Sequence, residues 1–348
     1  MANLLILGAG VMGSAIAVPP ADNGHAVRLV GTHLDGGIIA ALKAGRRHPK
    51  LGARLPDAVE LLAIEEIDPA LADWADIVIV GVSSPGVDWV EDRLARILRA
   101  PKPVAFVTKG LVPAGEAPPR TYADTFAAAM RQRAVAVGPF IGIGGPCIAR
   151  ELALRVPTAV IYGSHDAVAV RRFAEIMATP YYRVTVSADA AGVEACAALK
   201  NFFAIGVSAM LTRYPDDERG TSFKNPTAML FQQAVGEMER LTAWIGGRPE
   251  TAHGLAGSGD LNVTVGGGRN ARLGAHLGDG MTVSAALSGP LAGETVEGVD
   301  TGRCLLAALA AAHHAGVLEP SEVPLARAIL DAIAADTTFR FDFAAIGS

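Results

Sequence analysis

The chain has 348 residues, of which 51% are hydrophobic and 19% charged, with a formal net charge of −5. That length implies about two domains, and the acidic balance excludes a global attraction to nucleic acid or to acidic membrane surfaces. Three scattered cysteines, Cys147, Cys196 and Cys304, offer neither a disulfide framework nor metal-ligand spacing, so no metal and a reducing, cytoplasmic setting are expected.

The N-terminus opens on an apolar run with no basic segment or cleavage signal, so secretion is not expected. Short β-branched runs follow in order: LLILG (4–8), AVRLVG (26–31), ADIVIVGV (75–82), PVAFVTKG (103–110), AVAVG (134–138), TAVIYG (158–163) and YYRVTV (181–186). Their near-continuous apolarity predicts strands buried on both faces. Helix-length segments at 36–43, 87–98 and 166–177 alternate with them, the last with Ser164 as candidate N-cap. Alternation of this kind predicts a doubly wound, mostly parallel sheet. Pro19 and Pro20 fall inside the first expected helix and predict a kink or an early end near Val18.

Strand signals stop near residue 189, and Ala-rich helical periodicity takes over. The expected organisation is an N-terminal Rossmann-like domain over 1–189 and an all-helical domain over 190–348. The run 304–318, CLLAALAAAHHAGVL, is the longest membrane candidate; it is too short and carries two histidines, so no membrane span is expected. Within AALKNFFAIGVSAM (197–210) stands Lys200, with Glu194 as the nearby opposite charge. A lysine in an apolar helix either snorkels to the surface or lines a site.

Two glycine-rich stretches carry the chemistry. Gly8, Gly10 and Gly13 form G-x-G-x-x-G, with Val11 and Met12 inside it, between a strand and a helix. There the first glycine allows a tight turn, the second admits a pyrophosphate to the backbone, and the third lets helix and strand pack closely. A nicotinamide dinucleotide is the expected cofactor. Its choice is read at the end of the second strand, where Thr32 and His33 are candidates for a 2′-phosphate and Asp35 lies late for a ribose hydroxyl, which leaves NAD and NADP both open. The second stretch runs from Gly257-Ser258-Gly259-Asp260 through Thr264 to Gly266-Gly267-Gly268-Arg269-Asn270. Glycines before a guanidinium at a helix start make an anion nest, or else a flexible surface hairpin.

Taken together, these motifs resemble those of the NAD(P)-dependent glycerol-3-phosphate dehydrogenase family over nearly the whole length. The resemblance rests on Gly8 to Gly13, Thr108-Lys109-Gly110-Leu111, Gly145-Pro146-Cys147-Ile148-Ala149, Ala198-Leu199-Lys200-Asn201, Gly257 to Leu261 with Thr264, Arg269-Asn270, and Glu297-Gly298-Val299. It implies reversible reduction of dihydroxyacetone phosphate. Lys200 is then the general acid/base, with Lys109 and Asp260 orienting it and the substrate. Arg269, assisted by Asn270, takes the substrate phosphate, and Gly145, Cys147, Asn201 and Thr264 complete the substrate set. Ala149, Arg269 and Glu297 join the glycine loop, Thr32 and His33 on the cofactor. A homodimer is the expected assembly. The family's serine is Cys147 here, and the preceding segment is unusually glycine-rich, so another phosphorylated ketose or polyol, or a hydroxy acid, stays open as substrate. A non-catalytic nicotinamide sensor would need the glycine loop but not Lys200, Asp260 and Lys109 together.

Overall fold

The computed structural model describes residues 1–346. In chain order it forms β1 (Asn3–Leu7), α1 (Val11–Ala15), α2 (Val18–Asp22), β2 (Ala26–Val30), α3 (Gly36–Gly45), β3 (Val59–Leu62), α4 (Pro69–Trp74), β4 (Ile77–Val80), α5 (Val87–Ile97) and β5 (Val104–Phe106). There follow β6 (Leu111–Ala114), β7 (Ala117–Thr121), α6 (Tyr122–Gln132), β8 (Phe140–Gly144), α7 (Ala149–Ala153), β9 (Thr158–Gly163), α8 (Ala167–Met177) and β10 (Tyr182–Ser187). The remainder is helical except for one short antiparallel pair, β11 (Pro215–Asp216) with β12 (Thr221–Ser222), which departs from the all-helical expectation: α9 (Ala190–Arg213), α10 (Lys224–Ile245), α11 (Asp260–Val265), α12 (Arg269–Gly278), α13 (Val283–Ser288), α14 (Glu297–His314) and α15 (Pro324–Ala334). These elements make two compact units, residues 1–109 with 122–193, and residues 110–121 with the chain from 194 onward.

The first unit is the doubly wound sheet expected. Its strand order is β10-β9-β8-β5-β4-β1-β2-β3. Neighbours run parallel, except that β8 and β9 are antiparallel. β1 sits between β2 and β4, with Leu4 opposite both Val27 and Ile77. The chain therefore leaves β1 toward one edge and returns to its other side, and the switch point lies at the carboxyl ends of β1 and β4. All four residues of β4 are buried, as a strand covered on both faces requires.

Three local expectations are corrected, and β3 lies outside the expected set of strands. The run 134–138 is not a strand: Ala134 and Ala136 are exposed, Ala134 is left-handed at φ 57°, and the ladder begins at Phe140. β3 lacks a long apolar run because its exposed Glu60 faces water and pairs with Arg28 of β2 at 2.6 Å. β10 is an edge strand, and Arg183, Thr185 and Val186 are exposed rather than buried on both faces. The cap of α8 is Asp166, which accepts from the N–H groups of Val168 and Ala169, while Ser164 donates to the Phe140 carbonyl.

The first helix does break, one turn ahead of its prolines. Residues 16 and 17 separate α1 from α2, and Pro19 and Pro20 lie in the first turn of α2. Helix continuation would need the missing N–H groups of Pro19 and Pro20 to reach the carbonyls of Ala15 and Ile16, so the rupture falls there. Prolines are tolerated in a first turn, whose N–H groups have no helical partner.

The second unit is built around α9. Phe202, Phe203, Ile205 and Val207 are fully buried, so this helix is apolar all round because it is the core. Small residues let neighbouring helices reach its backbone: a Cβ at Gly278 of α12 would stand 2.2 Å from the Ala209 carbonyl, and one at Gly298 of α14 would stand 2.4 Å from the Asn201 carbonyl. The most membrane-like helix of the described residues is thus α9, not the 304–318 segment, and 89% of its most apolar window is buried. A β6–β7 hairpin from the first half of the sequence packs on α14 of this unit.

Glu237 of α10 is fully buried, and its two oxygens accept the first N–H groups of α15, from Leu325 and Ala326, each at 2.7 Å. Burial, the largest influence, pushes its carboxyl up to about 7 against the opposing pull of the bonds from Gln233 and α15. A carboxyl whose folded pKa lies above its unfolded one takes up a proton on folding between about pH 4.5 and 7, so its contribution falls as pH rises through that window. Glu237→Gln is expected to flatten this dependence. Denaturant unfolding at pH 5 and at pH 8 should show the wild type losing roughly 3 kcal/mol more than the variant across the interval. Equal losses would show that the carboxyl titrates at its ordinary value.

Candidate active site

In the sheet unit, the turn after β1 places Gly8, Gly10 and Gly13 against the end of β4. Gly8 has φ +108°, and a Cβ there would come within 2.8–2.9 Å of Gly81 and Val82. A Cβ at Gly13 would stand 2.1 Å from the Gly8 carbonyl, so only glycine brings α1 this close to the turn. Gly10 is different: its Cβ would meet only the Gly81 carbonyl at 4.0 Å. Packing does not require glycine there, and its bare backbone leaves the turn open to a ligand. No side chain caps α1, so the N–H groups of Val11, Met12 and Gly13 head a turn suited to an anion. These features fit a dinucleotide pyrophosphate.

Beyond β2, Thr32 and Asp35 turn inward. Thr32 is buried; its hydroxyl donates to Asp35 Oδ2 at 2.8 Å and accepts from the Leu34 N–H at 3.2 Å. His33 is exposed, with its ring centroid 6.4 Å from that of Trp89. After β5, Thr108 donates to the Val82 carbonyl at 2.7 Å, and the Lys109 carbonyl accepts from Ser84 at 3.1 Å. The turn carrying Lys109 is thereby tied to the end of β4. Met12, Val107, Lys109, Gly145, Cys147 and Tyr182 line one small cavity. Gly145 has φ +121°, and a Cβ there would stand 2.9 Å from Val160 Cα. Ala149 opens α7 and is buried.

In the helical unit, Lys200 does not snorkel. Its side chain is 8% exposed and its Nζ lies 3.0 Å from Oδ1 of Asp260, itself 3% exposed. Nζ also donates to Thr264 Oγ1 at 2.7 Å. Asp260 and Thr264 stand four residues apart on α11, hence on one face, and the Thr264 hydroxyl donates in turn to the Asp260 carbonyl at 2.7 Å. α11 is entered through a π-helical turn, 255–259, in which a Cβ on Gly257 would fall 2.0 Å from the Ala252 carbonyl. The glycine-rich approach therefore sets the entry angle of the helix that meets the lysine.

Arg269 is the first residue of α12 and Glu297 the first of α14, and the guanidinium donates to the Glu297 carboxylate. Gly268 before it has φ +91°; no side chain caps α12 and no acidic residue sits in its first turn, which favours an anion there. Asn270 points the other way. It is buried, donates to Asn201 Oδ1 at 3.0 Å and accepts from the Gly298 N–H at 2.9 Å. The two amides link α9, α12 and α14, the helices that carry Lys200, Arg269 and Glu297.

Of the residues expected at a site, Lys200, Asp260 and Thr264 converge in the helical unit, Arg269 meets Glu297, and Asn201 meets Asn270. Met12, Lys109, Gly145 and Cys147 share a cavity of the sheet unit. Two residues were missed. Asp35, judged late for a ribose, and His48, with no local signal, both bond to Ala9 inside the glycine motif.

A doubly wound sheet whose glycine turn sits at its switch point, together with a helical unit that buries a lysine-carboxylate pair, defines a two-unit nicotinamide-dependent dehydrogenase. The chain matches the models for the NAD-dependent glycerol-3-phosphate dehydrogenase N-terminus over residues 3–170 and C-terminus over 189–340. It belongs to that family. A protein named NADP(+)-dependent glycerol-3-phosphate dehydrogenase from Archaeoglobus fulgidus is 38% identical over 289 residues, covering 81% of this chain and 82% of its own. Glycerol-3-phosphate dehydrogenase [NAD(P)+] of Geobacillus kaustophilus is 33% identical over 340 residues, covering 96% of this chain and 90% of its own. The crystal structure of the Coxiella burnetii glycerol-3-phosphate dehydrogenase superposes with a TM-score of 0.78 at 26% identity, covering 97% of this chain and 96% of that one.

Proposed function

We propose that the chain catalyses reversible hydride transfer between NAD(P)H and dihydroxyacetone phosphate, giving sn-glycerol 3-phosphate, with Lys200 moving the proton. The observation that carries this is the buried ammonium held by Asp260 and Thr264, at 3.0 and 2.7 Å. The nicotinamide, when bound, supplies the hydride or accepts it. As negative charge develops on the carbonyl oxygen, Lys200 Nζ stabilises it and gives up a proton; in the reverse direction it takes the proton back. Asp260 and Thr264 fix the direction of Nζ. The names of the relatives cover both cofactors, and we assign either dinucleotide to the turn at Gly8–Gly13, its pyrophosphate on the N–H groups of Val11 to Gly13.

Arg269 is assigned to the substrate phosphate, with Glu297 holding the guanidinium. Asn270, with both ends of its amide bonded within the unit, supports Arg269 by seating α12. Arg269→Ala is expected to raise KM for dihydroxyacetone phosphate about a hundredfold, the scale of a charge-assisted phosphate contact. Steady-state kinetics at saturating cofactor reads it, and an unchanged KM would move the phosphate elsewhere. Cys147, where the family has serine, favours a second reading in which a related phosphorylated ketose is preferred. The cysteines are thiols, in keeping with a cytosolic enzyme, and a homodimer is the assembly we assign.

A further inference from the structure

We propose that Asp35 and His48 are positioning residues that hold the phosphate-binding turn through the backbone of Ala9, and that Asp35 does not choose between the two cofactors. The inference rests on the reading of that turn as the dinucleotide site. Ala9 is the one non-glycine residue between Gly8 and Gly10, and it is fully buried. Its N–H donates to Asp35 Oδ2 at 3.1 Å. Its carbonyl lies 3.2 Å from His48 Nε2 and accepts from the Ser14 hydroxyl at 3.0 Å. His48 Nδ1 accepts the N–H groups of Lys50 and Leu51, at 3.1 and 3.2 Å, so the ring proton resides on Nε2 and points at Ala9. Burial, the largest influence, lowers the His48 pKa, which keeps this neutral tautomer.

The peptide planes on both sides of Ala9 are thus fixed by side chains from outside the motif. Glycines on either side have no side chains with which to order themselves and lose the most freedom on folding. A turn whose N–H groups must converge on a pyrophosphate binds more tightly when its conformation is set beforehand. The brace supplies that order at Ala9, the buried residue between the two glycines.

The same bonds define what Asp35 does not do. In sites selective for NAD, an acid at the end of the second strand grips the ribose 2′-hydroxyl. Here Oδ2 of Asp35 takes three donors, the Ala9 N–H, the Thr32 N–H at 2.9 Å and the Thr32 hydroxyl at 2.8 Å. The residue is buried beneath the turn. Its loss therefore affects NADH and NADPH alike, because both carry the same pyrophosphate.

The test is fluorescence titration of the full chain with NADH and with NADPH, for the wild type, Asp35→Ala, Asp35→Asn, His48→Ala and His48→Gln. Asp35→Ala and His48→Ala should raise both dissociation constants about tenfold, as loss of a buried hydrogen bond does. The NADH-to-NADPH ratio should stay within about twofold of the wild type. Asp35→Asn retains one carbonyl oxygen for Ala9 and Thr32 and should recover most of the affinity; His48→Gln retains a donor and does the same if His48→Ala does not fold. KM for the cofactor should rise more than KM for dihydroxyacetone phosphate, a split that general destabilisation would not give. Weakening of NADH alone would overturn the proposal and make Asp35 the ribose acid. Affinities equal to the wild type, or an Asp35→Asn variant as weak as Asp35→Ala, would overturn it also. A wild-type chain that binds neither dinucleotide would sink the dinucleotide reading itself, an outcome distinct from variants that bind as well as the wild type.

Discussion

Lys200→Met is expected to lower kcat by about a thousandfold or more, the scale of a positioned general acid/base, while the dissociation constant for NADH stays at the wild-type value. Methionine keeps the length and the apolar stem of the side chain and removes the ammonium, so the change isolates the proton-carrying group. The structure gives the expectation its force. A surface lysine would be replaced at no cost to turnover, whereas this one is 7% exposed and held between Asp260 and Thr264. Single-turnover measurement of NADH oxidation separates the chemical step from product release. Retained turnover would take Lys200 out of the mechanism and leave it as a buried structural cation.

The second large effect is on stability. Asp260→Ala leaves the Lys200 ammonium in a site almost closed to water, without its counter-charge. Breaking a buried ion pair from one side costs about 3–5 kcal/mol, most of it the penalty of the stranded charge. The double variant Lys200→Met with Asp260→Leu removes both charges and should restore most of that loss, while activity stays absent. Denaturant unfolding of the three variants reads the difference. If Asp260→Ala unfolds within about 1 kcal/mol of the wild type, water reaches the ammonium and the pair behaves as a surface one. The pair exists for chemistry if an apolar replacement of both members is as stable as the wild type and inert.

The contrast between what the sequence reveals and what it hides follows a physical line. Strands buried on both faces, such as β1 and β4, announce themselves as apolar runs, because nothing polar is tolerated on either side. β3 and β10 sit at the two edges of the sheet, where polar residues are permitted, and their pattern fades accordingly. The β6–β7 hairpin carries Pro113, Pro118 and Pro119, which argue against a strand. It persists as an isolated antiparallel pair, with its register shifting between Val112 and Ala114, around Pro113. In the site, Lys200 stands out as an ammonium in an apolar helix, which leaves snorkelling open, and Asp260 and Thr264 are legible only through the family pattern that sets them beside it. Asp35 and His48 are not legible. Their bonds to Ala9 span 26 and 39 residues and depend on how β2 and the loop after α3 lie under the turn. Local pattern carries no trace of such a meeting.

The hairpin at 111–121 also governs the order in which the chain can mature. The polypeptide leaves the sheet unit after residue 109, returns at 122 and leaves again after 193. Strands β8, β9 and β10 emerge from the ribosome after the hairpin, yet the hairpin's packing partner α14 begins at residue 297. During synthesis, residues 110–121 therefore wait past the whole sheet unit for α10, which β7 also contacts, and then for α14 before their packing is complete. Long-range closures of this kind slow folding and leave apolar segments exposed while they are incomplete. A chain truncated after the sheet unit would carry that unpartnered excursion permanently, so the two halves of this enzyme are not interchangeable modules that can be cut at a single point.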